Sequence, residues 1–200
     1  MKEHKFLYAE KKTDNKYLNY YIVHYSDGVS YCLASRRREE DLAVKNPNKL
    51  VADAVRIIPY FKKDGKLYVV LIREFRYPIN NYIYGVPAGC VDRGENEEVT
   101  AIREVAEEIG ARVKKIKKVA GPCYSSAGMS DEALSFFEAE VELDGKQQLE
   151  MTEDIEIKIC PVDKLMDVLK SNNFGMQSRL QLESFYYKYK SGEFDKDLNK

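Results

Sequence analysis

The 200-residue sequence predicts an α/β protein with a mixed β-sheet between helices. Two observations predict this fold class. The chain runs from strands through one helix to more strands and then two helices, an order that favours a mixed α+β sheet over a doubly wound parallel one. One apolar run also has the length and continuity of a strand covered on both faces. With 44% hydrophobic residues, the chain can build the core of one domain with a small appendage.

The first part of the chain is predicted to be β-structure. Two segments rich in Tyr, Ile and Val, at 17–25 and 29–35, flank the hairpin signal Ser26-Asp27-Gly28. The polar stretch at 36–49 predicts a linker. The predicted parts of the chain are an N-terminal antiparallel β-hairpin unit (1–48), a main domain (49–190) and a polar, frayed tail (191–200).

The main domain is predicted to begin with a second hairpin, whose strands at 52–61 and 67–75 flank a turn at 63–66. Residues 67–72 show no polar alternation, which predicts a strand buried on both faces. The later predicted elements are a short strand (82–86), a glycine-rich turn, a helix (97–109), strands (114–120, 133–141 and 155–159) and two helices (162–171 and 176–190).

The helix predicted at 97–109 carries a cluster of carboxylates. Successive residues rotate by about 100° around a helix, which places an apolar stripe on the side predicted to face the core: Val99, Ile102, Ala106 and Ile109. Glu104, Glu107 and Glu108 fall on the opposite side. Asn96 is the predicted N-cap. The spacing alone leaves two interpretations open, a solvated acidic face or a hard-oxygen site for Mg²⁺ or Mn²⁺.

The segment from Gly89 to Gly110 resembles a known motif. It reads Gly89-(five residues)-Glu95-(seven residues)-Arg103-Glu104-Val105-Ala106-Glu107-Glu108-Ile109-Gly110, which is similar to the Nudix box, G-x5-E-x7-R-E-U-x-E-E-x-G-U, with U a bulky aliphatic residue. The one departure is Ala111 at the last aliphatic position. The resemblance implies a Nudix α/β/α sandwich and a hydrolase of nucleoside diphosphate compounds that uses Mg²⁺ or Mn²⁺.

The same resemblance implies roles for individual residues. The implied metal ligands are the carboxylates of Glu95, Glu104, Glu107 and Glu108 and the backbone carbonyl of Ala88. Arg103 is expected to brace the loop against the helix through an ion pair with Glu95. Arg103 and Glu107 are also expected to take part in catalysis.

The flanking sequence resembles the ADP-ribose pyrophosphatase branch of that family. Arg73-Glu74-Phe75-Arg76-Tyr77-Pro78 and Pro87-Ala88-Gly89 are similar to its strings (Q/E)-(F/Y)-R-x-P and E-x-P-A-G. The resemblance implies that Arg76 and Gly89 contact substrate. Gly85 stands where the second string has glutamate, a departure that affects selectivity rather than metal chemistry.

Two tyrosines in the N-terminal unit resemble residues that hold the adenine base in this branch. The resemblance implies that Tyr17 and Tyr31 stack on the base and that Arg36 pairs with the base or a phosphate. It also implies a homodimer, because the second aromatic residue comes from the other subunit. The alternative, ordinary strand tyrosines, stays open, since the chain has 15 tyrosines and no tryptophan.

The catalytic base is expected on a loop outside the box. Residues 124–132 resemble the S-P-G-x-(S/T)-x-E loop of the branch, with Ala127 in place of its proline, and this implies Glu132 as the base. In other members the base lies on a later loop, which here contains Glu150 and Glu153. Such a loop can close over the substrate after binding.

The expected activity is hydrolysis of ADP-ribose to AMP and ribose 5-phosphate. Two alternatives are a hydrolase of another nucleoside-diphosphate sugar and a sensing module that binds without cleaving. A net charge of −1 provides no field for nucleic acid or an anionic membrane, so neither partner is expected. The cysteines lack a C-x-x-C pair and no apolar leader precedes Lys5, so a cytoplasmic protein with free thiols is expected.

Overall fold

The computed structural model describes residues 3–194. Met1, Lys2 and 195–200 lie outside the described residues, and with them the first two residues of the N-terminus and the end of the predicted tail. The described strands are β1 (Phe6–Lys11), β2 (Asn19–Tyr25), β3 (Ser30–Ser35), β4 (Ala54–Lys63), β5 (Lys66–Arg76), β6 (Asn81–Gly85), β7 (Ala88–Cys90), β8 (Arg112–Tyr124), β9 (Ala133–Glu142) and β10 (Ile155–Pro161). The α-helices are α1 (Glu97–Ile109), α2 (Leu165–Ser171) and α3 (Met176–Lys190).

The chain divides into two compact units. The N-terminal unit contains Met1–Ala54 and Ala120–Ser135, and the main unit contains Val55–Val119 and Phe136–Lys200. In the N-terminal unit, β2 and β3 form the predicted antiparallel hairpin. The strand β1, which the sequence did not predict, pairs antiparallel with β2 and completes a three-stranded sheet. The domain boundary at residue 48 stays a prediction.

The main unit confirms the predicted mixed sheet between helices. The sheet has the order β10-β5-β4-β9-β8, with β6 paired to β5 and β7 paired to β4. One face packs against α1 through a core that includes Val70 and Ile72. The other face packs against α2 and α3 through a core that includes Val69 and Leu71. Consecutive residues of β5 therefore point into two separate cores, as its uninterrupted apolar run predicted.

The strand β5 changes partner along its length. Its first residues pair with the end of β4, from Lys66 to Val69, whereas Ile72 to Arg76 pair with β6. The backbone N–H of Ile57 in β4 donates to Pro87 O at 2.9 Å, next to β7. The sheet therefore opens between β4 and β5, and the segment that follows β6 enters this opening. The glycine-rich turn that begins the motif lies there.

The predicted buried side of α1 was wrong. Val99 and Ile102 are 48% and 40% exposed, and Ala106 is also exposed; of the predicted stripe, only Ile109 is buried. The buried residues are Thr100, Ala101, Glu104, Val105, Glu108 and Ile109. The prediction failed because it assumed that apolar side chains alone define the core side. Here the helix turns two glutamates inward and leaves a valine and an isoleucine outside.

The end of the described chain packs on the main unit. Phe194 contacts Tyr60 and Phe185, with ring centroids 5.3 and 4.8 Å apart. Its carbonyl accepts a hydrogen bond from Lys62 Nζ at 2.7 Å. The first residues of the predicted polar tail are thus held by packing. Between residues 3 and 194, no helix combines the length and apolar content needed to span a membrane.

Candidate active site

The motif begins at a glycine that faces a glutamate of α1. An ideal Cβ added to Gly89 would lie 1.8 Å from Glu104 Oε1 and 2.0 Å from its Cδ. A side chain here would displace the Glu104 carboxylate, so glycine allows the turn to approach the helix with Glu104 in its present position. Asn96 caps α1 as predicted, because its side chain accepts a hydrogen bond from Val99 N at 2.9 Å. The turn and the helix together fix the position of Glu104.

Arg103 connects the motif's loop to its helix. Its Nη2 atom donates to Glu95 Oε2 and to the carbonyl of Cys90, both at 3.2 Å. Its Nη1 atom donates to Glu104 Oε1 at 2.8 Å and to Glu107 Oε2 at 3.0 Å. The predicted pair of Arg103 with Glu95 is thus present, and the same guanidinium also bonds two other glutamates of the motif.

Glu104 and Glu108 are nearly buried, at 6% and 4% exposure. Burial raises the pKa of Glu104 to about 7, against the opposing effect of Arg103. Burial also raises the pKa of Glu108 well above its usual range, and the charge of Glu104 adds to this effect. Glu108 Oε2 accepts a hydrogen bond from the backbone N–H of Ala88 at 3.3 Å. Two adjacent carboxylates with so little solvent need a cation to be ionised together.

Two more carboxylates join this cluster from other elements. The charges of Glu74, in β5, and Glu153, in the loop before β10, both raise the pKa of Glu108. The sequence interpretation considered Glu153 but gave Glu74 no role. Glu74 Oε2 pairs with Arg76 Nη2 at 2.8 Å. The signal that could have identified Glu74 is its position inside the string that contains Arg76.

The other predicted base lies in the N-terminal unit. Glu132 Oε2 accepts a hydrogen bond from Ser125 Oγ at 2.9 Å, and Glu132 Oε1 lies 3.4 Å from Arg36 Nε. The structure therefore brings together Arg36, which the resemblance implies to contact substrate, and the loop at 124–132 with Glu132, the implied base. Tyr31 lines a cavity of about 630 Å³ in this unit together with Phe6, Tyr25 and Tyr124. Tyr17 is 67% exposed and is not among the residues that line that cavity.

An ion pair that the sequence interpretation missed holds this loop in place. Arg37 Nε and Nη2 donate to the two carboxylate oxygens of Asp53 at 2.9 and 2.8 Å. Asp53 Oδ2 also accepts from Ala133 N at 2.8 Å. Asp53 thus fixes the end of the loop at 124–132.

The acidic cluster of the main unit fits a divalent cation in ligand type and charge. Hard carboxylate oxygens are the ligands that Mg²⁺ and Mn²⁺ prefer. Among the ion pairs of residues 3–194, the cation that pairs with Glu104 is Arg103. Within residues 3–194, no three His, Cys, Asp or Glu side chains already converge as a formed metal site. Glu104 Oε1 accepts from Arg103 Nη1 at 2.8 Å, so a cation would bind at Oε2 or replace this bond. The carbonyl role of Ala88 and the ligand roles of Glu95 and Glu107 stay predictions.

The family follows from a match over most of the main unit. A sequence model described as the NUDIX domain matches residues 50–181, which is more than half of the chain. The chain belongs to the Nudix family. The resemblance inferred from Gly89 to Gly110 is thereby confirmed.

Three curated relatives extend the comparison. The chain is 33% identical over 126 residues to the putative nudix hydrolase 2 of Caenorhabditis elegans, covering 60% of this chain and 56% of that protein. It is 32% identical over 130 residues to the ADP-ribose pyrophosphatase of Bacillus subtilis, covering 64% and 65%. It is 27% identical over 186 residues to the ADP-ribose pyrophosphatase of Saccharomyces cerevisiae, covering 87% and 78%. The chain thus spans less than two thirds of the length of the first two relatives.

A solved structure shares the fold. The crystal structure of an ADP compounds hydrolase superposes with a TM-score of 0.68, at 17% sequence identity, over 96% of this chain and 97% of that one. At this level of identity the likeness concerns the fold, and it agrees with the mixed sheet between helices described above.

Proposed function

We propose that this Nudix protein hydrolyses the diphosphate of ADP-ribose to AMP and ribose 5-phosphate with Mg²⁺ or Mn²⁺ as cofactor. The observation that carries the proposal is the buried pair Glu104 and Glu108, which stand against the turn at Gly89. The two relatives named ADP-ribose pyrophosphatase support the choice of substrate.

The residues of the motif have separate tasks in this proposal. Glu104 and Glu108 would hold the divalent cation, which supplies neutralisation of the diphosphate charge and a lowered pKa for a bound water. Arg103 holds Glu95 and Glu107, so the loop would stay fixed against the helix when Glu104 binds the cation. The N–H of Ala88 keeps Glu108 oriented. Such fixed carboxylates position the reacting phosphate without reorganisation during the reaction.

We assign the catalytic base to Glu153. Its charge raises the pKa values of Glu104 and Glu108, so it belongs to the same acidic cluster. Glu153 Oε2 accepts a hydrogen bond from Glu150 N at 2.8 Å, which fixes the carboxylate and leaves its other oxygen to take a proton from water. Glu132 bonds Ser125 and Arg36, an arrangement suited to contacting substrate.

A second candidate is the hydrolysis of another nucleoside-diphosphate sugar. The observation in its favour is Gly85, where the related string has glutamate. A Cβ at Gly85 would lie 3.3 Å from Ser178 Oγ, so this position leaves little room for a longer side chain. A sensing module that binds without cleaving is less well supported, because every glutamate of the motif is retained.

A substrate panel tests the proposal. We expect the purified protein with Mg²⁺ to cleave ADP-ribose faster than ADP-glucose, NADH, flavin adenine dinucleotide or GDP-mannose. The released AMP, or GMP in the case of GDP-mannose, is separated by anion exchange. Glu108→Gln, purified in the same way, controls for contaminating hydrolases. It removes the charge of a proposed cation ligand, while its amide oxygen still accepts the hydrogen bond from Ala88. Equal rates on all substrates would favour a general nucleoside-diphosphate hydrolase, and no cleavage of any would refute catalysis.

We also propose that the protein is a homodimer that uses its N-terminal unit. The large apolar side chains exposed by between 39% and 67% in this unit are Leu7, Tyr8, Tyr17, Leu18, Tyr20, Val29, Tyr31, Leu50, Val51, Tyr124 and Met129. An exposed apolar surface of this kind is typical of an interface. Sedimentation velocity should give a dimer, and Tyr31→Lys should shift it toward monomer; a wild-type monomer at micromolar concentration would contradict the proposal.

A further inference from the structure

Glu74 is a carboxylate of the main unit to which neither the motif nor the proposed mechanism assigns a task. Its side chain is only 15% exposed and pairs with Arg76, whose side chain is 42% exposed, at 2.8 Å. Burial raises the pKa of Glu74, and Arg76 opposes this effect. A carboxylate in such a position stabilises the fold little by itself, because its desolvation offsets much of the attraction to the arginine.

The backbone places Glu74 beside the loop that contains the proposed base. Ile155 in β10 pairs with Glu74 in β5, and the carbonyl of Asp154 accepts from Phe75 N at 3.1 Å. Glu153 therefore lies two residues before Ile155, which pairs with Glu74 in the sheet.

Gln147 Nε2 connects this pair of strands to α1, because it donates to the carbonyls of Glu108 and Ile155 at 2.7 and 3.2 Å. Glu74 also follows Ile72 by two residues in β5, so it lies on the face of the sheet that packs against α1. Glu74 thus lies on the face covered by the helix whose carboxylates are proposed to hold the cation, and it pairs with the arginine implied to contact substrate.

Two consequences follow from this position. A guanidinium held by a carboxylate keeps a fixed orientation, which favours productive contact with a phosphate oxygen. A further negative charge near Glu108 strengthens the attraction of the cluster for a divalent cation. The first consequence depends on the reach of the side chain, and the second depends on its charge.

We propose that Glu74 is a positioning residue that couples Arg76 to the divalent-cation site, by orienting the guanidinium and by adding its charge to the site. The proposal rests on the proposed function. It goes beyond that function by assigning a role to a residue outside the Nudix box. Because reach and charge can be changed separately, the two halves of the role can be measured separately.

Two substitutions separate these effects. Glu74→Gln keeps the length of the side chain and an oxygen that accepts from Arg76 but removes the charge. We expect it to weaken Mn²⁺ binding to the substrate-free protein by roughly 10-fold, the low end for residues that support metal ligands, with KM for ADP-ribose within about twofold of wild type. Glu74→Asp keeps the charge but shortens the reach. We expect it to bind Mn²⁺ nearly as wild type and to raise KM by roughly 10-fold.

Glu156→Gln is the matched control. Glu156, in the neighbouring strand β10, pairs with Arg73 of β5 at 3.2 Å, so the substitution removes the same kind of charge from the same pair of strands. It should change neither Mn²⁺ binding nor KM. Mn²⁺ affinity is measured by titration calorimetry on the substrate-free protein, KM by initial rates, and melting temperature for every variant.

The outcomes decide between a positioning role and a structural one. The proposal is supported if Glu74→Gln weakens Mn²⁺ binding with KM unchanged, and Glu74→Asp raises KM with Mn²⁺ binding unchanged. Wild-type values in both variants, equal losses in both that follow a fall in melting temperature, or the same loss in Glu156→Gln would overturn it. If Glu74→Gln fails to fold, Glu74→Asp still tests the proposal, because a raised KM with unchanged Mn²⁺ affinity supports the positioning of Arg76 and an unchanged KM contradicts it. A wild type that binds Mn²⁺ but cleaves no substrate would refute the proposed function, whereas the metal affinities would still test the charge of Glu74.

Discussion

Replacement of Gly89 by alanine tests the geometry of the site through a single added carbon. The new Cβ would lie 1.8 Å from Glu104 Oε1, and Cβ contacts under 3.0 Å are essentially never found. The carboxylate must therefore move by about 1.2 Å or more, and Glu104 is the flexible partner. A displacement of about 1 Å in a reacting group can cost roughly 100-fold in rate, which corresponds to about 2.7 kcal/mol of transition-state stabilisation.

The assay is the initial rate of AMP release from ADP-ribose at saturating Mg²⁺, with melting temperature measured in parallel. We expect kcat/KM of Gly89→Ala to fall roughly 100-fold while the melting temperature changes little, because Glu104 rather than the backbone gives way. Gly175→Ala is the matched control, since its Cβ would contact nothing nearer than Ile83 Cδ1 at 3.9 Å. A Gly89→Ala enzyme with wild-type kcat/KM would show that the position of Glu104 does not matter for catalysis.

Three further predictions concern charge, loop anchoring and thiol chemistry. Glu108→Gln should raise the melting temperature of the metal-free protein at pH 7, because burial raises the pKa of Glu108 well above its usual range and folding at that pH must protonate a carboxylate that is ionised in the unfolded chain; a clear decrease would contradict the described burial. Asp53→Ala should lower the free energy of unfolding by about 2 kcal/mol in urea titrations, since it leaves Arg37 and the Ala133 N–H without their acceptor, whereas Glu40→Ala, at an exposed pair with Arg38, should be nearly neutral. Burial raises the pKa of the Cys160 thiol to about 11, so its thiolate fraction and alkylation rate should stay low at pH 8 and rise only as the pH approaches that value; rapid alkylation of native Cys160 at pH 8, resolved by peptide mass spectrometry, would refute this.

The elements that follow from local pattern were predictable from the sequence. The helix at Glu97–Ile109 was predicted with its Asn96 cap, because a capping side chain and a run of helix formers act locally. The burial of β5 on both faces was also predictable, because a strand without polar alternation cannot present a face to water.

Other features depend on distant partners and could not be read from local pattern. The inward side of α1 contains Glu104 and Glu108, which hydrophobic periodicity assigns to solvent. Local pattern fails here because the buried residues of this helix form the candidate site as well as the core. The strand β1 has exposed residues on both faces and little apolar pattern. Glu74 gains its surroundings from β10 and from Arg76, so its importance appears only when the strands are paired.

The most direct test of the central claim is to locate the cation itself. Crystals grown with Mn²⁺ and a non-hydrolysable ADP-ribose analogue should be measured at a wavelength where manganese scatters anomalously. We expect an anomalous peak about 2.0–2.6 Å from carboxylate oxygens of Glu104 and Glu108, beside the diphosphate of the analogue. An occupied analogue with the manganese peak elsewhere, or with Glu104 still bonded to Arg103 and no peak at these carboxylates, would contradict the claim.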